Sequence, residues 1–310
     1  MSWSRAFYWV DALGKNIFSA RGANAFLSAF GVLWFMVEAS AFFSEDFGKL
    51  LKANAWAFAV AGFVYSVWLC RPFLKTECKL TGRDVGIEVR IGDVFKEEKA
   101  AERVLIIGTN TTFDTKLGAP LIAERSVQGQ FTKRYFPNEE TLDLSIGKAL
   151  EGIAGEQLDG PRAGKSVLYP MGTTIEVKAA GGVRSFWVAM ADLNEHGTAI
   201  TNLSNLELAL SELWVHMGER GTCDTVVMPA IGSRFGQMTI SREASVRLII
   251  QSFLAACAER TFCEKLVIVL SGTDVVRHKI DLREIGTFVQ HACRYSSPPV
   301  GGAPVGTPVG

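Results

Sequence analysis

This chain is poor in the residues from which catalytic and metal sites are most often built. Its 310 residues include four histidines, His196, His216, His278 and His291. None falls in an H-E-x-x-H or similar spacing that would turn two ligands toward one ion, so no metal site is expected and each reads as a surface or packed residue. A G-x-S-x-G elbow and a G-x-x-x-x-G-K-[ST] loop are both missing, which removes common signatures of a serine hydrolase and of a nucleoside triphosphatase. No catalytic residue is assigned. Net charge is missing too: 32 basic residues balance 32 acidic ones, at a pI near 6.9. A nucleic-acid binder needs a basic footprint to displace counterions, so no nucleic-acid partner is expected. The six cysteines, Cys70, Cys78, Cys223, Cys257, Cys263 and Cys293, show no C-x-x-C spacing, and several sit in apolar runs. There a free thiol behaves as a small hydrophobe, and a reducing compartment is the simplest reading.

What the chain has in quantity is apolar sequence, 48% of residues with a mean hydropathy of +0.18. Two runs concentrate it. Ala25 to Phe43 contains Glu38 as its one charged residue, and Ala53 to Leu69 contains none. Each approaches the roughly 20 residues needed to cross a hydrocarbon core of about 30 Å. A short connection, SEDFGKLLK, makes the pair a hairpin, so residues 24–71 are read as a transmembrane hairpin. Arg5, Lys15, Arg21, Arg71, Lys75 and Lys79 flank its outer ends, against Lys49 and Lys52 in the connection. The positive-inside rule then puts both termini on the cytoplasmic side. Glu38 either reaches the interface or faces other hairpins in an assembly, since a carboxylate within a span costs a few kcal/mol unless satisfied. Gly31, Ala29, Ala59, Ala61 and Gly62 would allow close helix contact.

Ahead of the hairpin, Trp3, Phe7, Val10, Leu13 and Ile17 recur at helical spacing among polar residues. Residues 1–23 are therefore expected to form an amphipathic helix lying in the membrane interface, with Trp3 and Tyr8 at headgroup level. The alternative is a helix packed on the soluble domain. A late apolar run without a small-residue cleavage site does not read as a signal peptide.

From residue 76 to 296 the pattern becomes an α/β alternation. Val85, Ile87, Val89 and Ile91 alternate with polar residues, predicting a half-exposed strand. Val104–Ile107, Phe186–Ala191, Val226–Met228 and Leu266–Leu270 are apolar throughout, which marks central strands covered on both faces. Between them, Leu206, Ala209, Leu210, Leu213, Trp214 and Met217 define one helix, opened by a capping box at Ser204 and Glu207. Val246, Ile249, Ile250, Phe253, Leu254 and Cys257 define another. The expectation is a three-layer α/β domain with a mixed sheet. Residues 297–310, with PVG repeated, have too little bulk to bury a core and are expected to be disordered.

In such sheets ligands gather at the carboxyl ends of the strands. Two of these ends are rich in small polar residues: Gly108, Thr109, Asn110, Thr111 and Asp114 in GTNTTFD, and Pro229, Ile231, Gly232, Ser233, Arg234, Phe235 and Gly236 in PAIGSRFG. SGTD at Ser271–Asp274 is a weaker third. Glycines in such a loop let backbone N–H groups close on a phosphate. Each loop could equally be an ordinary turn, capped in the first case by Asn110 and Asp114.

Gly92-Asp93-Val94 after a strand, an Asn-containing loop after the next and a Pro-Ala-Ile-Gly-Ser-x-x-Gly loop later resemble the macro domain, an ADP-ribose-binding module. GTNTTFDT, LIAERSVQGQF and VVMPAIGSRFG behind a membrane hairpin resemble, more narrowly, the membrane-bound macro-domain effectors of type II Thoeris anti-phage systems. The resemblance implies a macro fold on a hairpin in the bacterial inner membrane, with no cofactor and no primary enzyme activity. Asp93, with Val94, would recognise the adenine amine, the loop from Ile231 to Gly236 would cradle the diphosphate, and the loop around Asn110 would face the distal ribose. It further implies an ADP-ribose-type messenger, such as an amino-acid conjugate, made by a TIR-domain partner, followed by self-association and damage to membrane lipid. Thr115–Pro120 lacks the glycine run of hydrolytic macro domains. A membrane-anchored ADP-ribosyl hydrolase using Asn110 and Asp114, or a macro fold serving only as scaffold, are the competing readings.

Overall fold

A computed structural model describes residues 3–43, 46, 49, 53–96, 103–118, 121–159, 164–193, 199–231 and 241–295. Gly232, Ser233, Arg234, Phe235 and Gly236 and the tail 297–310 lie outside the described residues. The chain forms two compact units: one is built from the sequence before Lys75 together with Ser271–Lys279, the other from Lys75–Leu270 and the sequence after Lys279.

The first unit contains helices α1 (Trp3–Ile17), α2 (Ala20–Phe43) and α3 (Ala55–Leu69), joined by the short helix Gly272–His278. Gly22–Phe43 is long and apolar enough to cross a membrane, 22 residues at about 1.5 Å each. Little of it is covered by protein: Leu27, Val32, Phe35, Met36, Phe42 and Phe43 are all exposed. The apolar part of α3, Trp56–Leu69, is shorter. The two helices run antiparallel, since Gly62 lies against Phe26 and Phe30 while Ser66 Oγ, fully buried, donates to Gly22 O at 3.2 Å. Gly62 thus sits in the helix contact; around Gly31 there is open space, and Glu38 is exposed. Tyr8 is buried, its hydroxyl donating to Phe73 O at 3.3 Å.

In the second unit an eight-stranded mixed sheet runs in the order β1 (Lys75–Lys79), β2 (Gly86–Ile91), β10 (Cys263–Leu270), β9 (Cys223–Pro229), β3 (Arg103–Asn110), β7 (Arg184–Leu193), β6 (Thr174–Lys178), with β8 (Ala199–Ile200) beside β7. β4 (Glu156–Gln157) and β5 (Val167–Leu168) form a separate ribbon. From β2 through β7 every pairing is parallel, and β1, β6 and β8 attach antiparallel. The four apolar runs singled out in the sequence are β3, β7, β9 and β10, and their residues are almost fully buried, as both-face cover requires.

One face packs on α4 (Val127–Tyr135) and α5 (Glu139–Leu150), where Phe131 meets Trp187 edge-on at 5.6 Å. The helices with the other buried stripes are α6 (Leu203–Glu219), α7 (Arg242–Glu259) and α9 (Leu282–Tyr295), following α8 (Gly272–His278) of the first unit. Two local expectations change. α6 is capped by Asn202, two residues ahead of Ser204, and Asn202 accepts from Asn205 N at 2.8 Å. Glu88, expected on the half-exposed face of β2, is 3% exposed, and Lys265 and Arg90 pair with its carboxylate.

Candidate functional site

Because five neighbouring strands are parallel, their carboxyl ends fall on one edge of the sheet, and the loops expected to bind ligand leave from that edge. Gly92 N donates to Leu270 O (2.9 Å) and Ala230 N donates to Val269 O (3.0 Å). The turn after β2 and the loop after β9 are therefore pinned on either side of the end of β10. Strands lie about 4.8 Å apart, so these two loops start about 10 Å from each other, with Asn110 at the end of β3 one strand further.

Asp93 opens a tight turn: its Oδ1 accepts from Phe95 N at 3.1 Å and its carbonyl accepts from Lys96 N at 3.0 Å. Oδ2 faces the Arg134 guanidinium at 3.7 Å, and that guanidinium lies over the Phe95 ring at 4.5 Å. Arg134 was not foreseen as a neighbour, since nothing near it in sequence connects the last turn of α4 to this corner. Val94 and Phe95 are core residues, so they hold the turn from beneath.

The loop after β3 is held together by its own polar groups. Asn110 and Asp114 are buried, and Asn110 Nδ2 donates to Asp114 Oδ2 at 2.8 Å. Thr112 Oγ1 donates to the same oxygen at 2.6 Å, and Asp114 N donates back to Asn110 Oδ1 at 3.0 Å. Asp114 Oδ1 accepts from Lys165 N at 2.7 Å, while Gln128 Nε2 donates to the Asp114 carbonyl at 2.6 Å. Gly164 has no room for a side chain, because a Cβ there would stand 2.5 Å from Asp114 Oδ1. Phe113 is buried at φ 50, a left-handed conformation a phenylalanine rarely adopts, at the centre of this knot. The turn is thus capped by Asn110 and Asp114, whose side chains are committed to the loop.

Gly108 is pressed by Met190 Sδ, 3.2 Å from where its Cβ would be, and Thr109 is fully buried with no partner for its hydroxyl among the described residues. Ile231 is buried and its carbonyl accepts from Ser245 Oγ, which ties the start of the loop after β9 to α7. Pro229 is half-buried at the edge. Beside β3, Thr111 Oγ1 donates to Asp192 Oδ1 at 3.2 Å, and Asn205 Nδ2 donates to Asp192 Oδ2, also at 3.2 Å. Thr111 and Asp192 line a cavity of about 410 Å³ shared with Glu156, Tyr169 and Met171. Asp192 escaped the sequence reading although it ends the apolar run Phe186–Ala191, the same position that drew attention to Asp93. SGTD, directly after β10, forms the N-cap and first turn of α8, which is grouped with the first unit. No cluster of metal ligands occurs among the described residues.

A parallel-centred mixed sheet with helices on both faces and these loops on one edge is the architecture of a macro domain. The family model described as Thoeris protein ThsA, Macro domain, matches residues 87–271, more than half of the chain, and the chain belongs to that family. The Thoeris protein ThsA of Bacillus amyloliquefaciens (strain Y2) is 24% identical over 150 residues, covering 47% of this chain and 48% of that protein, so the chain spans about half the length of this curated relative. Among solved structures, an Oceanobacillus iheyensis macrodomain with ADP is similar at a TM-score of 0.44 and 14% identity, over 68% of this chain and 97% of that one. A Trypanosoma brucei macrodomain in complex with ADP-ribose is similar at 0.41 and 8%, over 62% and 66%.

Proposed function

We propose that the chain is a membrane-held receptor for an ADP-ribose-type signalling nucleotide in bacterial anti-phage defence, and not an enzyme. A TIR-domain partner supplies the messenger, an ADP-ribose carrying a further group such as an amino acid. The macro domain binds it in the cytoplasm, copies of the chain associate, and the two-span hairpin disrupts the inner membrane. The observation that carries this reading is order along the sheet edge. Asp93 after β2, Ile231 after β9, Asn110 at the end of β3 and the cavity at Thr111 and Asp192 follow one another along the edge. Adenine, diphosphate, distal ribose and a distal substituent follow one another in the ligand. A cavity of about 410 Å³ offers room for the substituent. The hydrolase reading is less well served, because both Asp114 oxygens are already occupied by Asn110, Thr112 and the Lys165 amide instead of a water.

Titration calorimetry of the full-length protein in detergent should register ADP-ribose binding, and Asp93→Ala should weaken it by about 1–3 kcal/mol, the cost of an unmet buried polar partner. Equal affinity for the guanine analogue would sink the role of Asp93. Release of free ADP-ribose from an ADP-ribosylated substrate would favour the hydrolase.

A further inference from the structure

We infer that Arg134 is the residue on which the purine of the ligand stacks, with Asp93 beside it taking the exocyclic amine; this rests on the nucleotide-binding reading above. Arg134 stands in the last turn of α4. Its neighbour Lys133 turns to Glu124, 2.7 Å away, whereas Arg134 turns to the corner after β2. There its Nη2 lies 3.7 Å from Asp93 Oδ2 and donates to Gln130 Oε1 at 3.5 Å, and its Cζ lies 4.5 Å above the Phe95 ring. Three contacts thus fix a long surface side chain in place, although an exposed ion pair adds little to stability.

The seat beneath the guanidinium is rigid. Aromatic rings run from Trp187 to Phe131 (5.6 Å), on to Tyr135 (4.8 Å) and from there to Phe95 (6.2 Å), which is 8% exposed. Arg134 caps that column. The negative face of the Phe95 ring attracts the guanidinium, and a guanidinium, being planar and weakly hydrated, can take a second π-face on its other side. The Arg134 side chain is 40% exposed, and with Phe95 beneath it the exposed part is the side turned away from the core. Asp93 completes the arrangement. Its Oδ1 accepts from Phe95 N, and 3.7 Å is too long for a hydrogen bond, so Oδ2 is held near Arg134 by charge and keeps acceptor sites for a ligand N–H. A carboxylate acceptor beside a flat cation matches a purine that carries an amine. The two residues divide the recognition: a stack accepts any base, and Asp93 chooses among bases.

Titration calorimetry of the full-length protein in detergent, with ADP-ribose and with its guanine analogue, separates the two roles. Arg134→Ala should weaken binding of both ligands roughly tenfold, the size of a cation–π contact shielded from water, and leave the preference for adenine as in the wild type. Asp93→Ala should instead remove that preference. Arg134→Lys, which keeps a cation but not the plane, should fall between the wild type and Arg134→Ala, and it stands in for the alanine variant if that one fails to fold. An Arg134→Ala protein, or Arg134→Lys in its place, that binds both ligands as tightly as the wild type would put the residue outside the site. A variant that loses the adenine preference would make Arg134 only the holder of Asp93. Either result overturns the stacking role and leaves the nucleotide-binding reading intact. A wild type that binds neither ligand would overturn that reading, and this inference with it.

Discussion

Asp114 shows how a residue at a ligand edge can matter through the loop and not through the ligand. It is 2% exposed, and its carboxylate collects three donors, from Asn110, Thr112 and the Lys165 backbone. Asp114→Ala leaves those donors buried and unmet, so it should lower stability by about 3 kcal/mol, read from the urea midpoint of the full-length protein in detergent. Asp114→Asn keeps the shape but replaces one acceptor oxygen with a donor, and should fall between the wild type and the alanine variant. If Asp114→Ala abolished ADP-ribose binding with stability unchanged, the residue would be a ligand contact instead. His216 is a second instance at this scale. Burial against the edge of Phe186, and then the nearby Arg220 charge, hold its pKa below the usual 6.5. The unfolded chain then takes up a proton more readily than the folded one, so stability is full above about pH 6.5 and falls as pH drops through the folded value. His216→Phe keeps a ring on Phe186 without the titration. The drop in thermal midpoint between about pH 7.5 and about pH 5.5 should be smaller in this variant than in the wild type.

At the scale of elements, the apolar strands were legible and their polar partners were not. Val104–Ile107, Phe186–Ala191, Val226–Met228 and Leu266–Leu270 announce themselves because a strand covered on both faces has no polar register to keep. β1, reading KTECK, carries no such signal. It is an edge strand paired antiparallel to β2, and its side chains alternate between exposed and half-buried. Glu88 on β2 is buried with Lys265 of β10 and Arg90 at its carboxylate, and the partner from β10 is not announced by the alternation of β2 itself. The capping of α6 was misplaced for a related reason: Ser204 and Glu207 fit the capping-box spacing, yet Asn202 stands where the chain leaves β8 and reaches the first free amide sooner. The site divides in the same way. That Asp93, Asn110 and Pro229 share an edge could be anticipated from strands of one direction. That Asn110 and Asp114 would satisfy each other, that Arg134 would reach Asp93, and that Asp192 would join Thr111 are contacts between segments distant in sequence, or choices among hydrogen-bond partners, which no local pattern encodes.

At the scale of the whole molecule, the division of the chain matters more than its count of spans. α2 supplies a stretch long and apolar enough for a bilayer, and its large side chains are mostly uncovered; Trp56, Phe63 and Trp68 of the shorter α3 are exposed as well. An uncovered apolar surface of that extent is costly in water at about 25 cal/mol per Å² and without cost in hydrocarbon. The full chain should therefore resist carbonate extraction from membranes. A chain beginning at Lys75 should appear in the soluble fraction, because the second unit has its own sheet, its own core and helices on both faces. It should not be a perfect copy of that unit in the whole protein. α8 would have lost α1, and a seven-residue helix is too short to persist without a partner. Hydrogen exchange of the truncated chain should therefore show Gly272–His278 exchanging rapidly while β3, β7 and β9 stay protected. A full chain washed off by carbonate, or a truncated one that stays in the pellet, would deny α2 its place in the bilayer. An α8 as protected in the truncated chain as in the whole would mean that its order does not depend on the N-terminal helices.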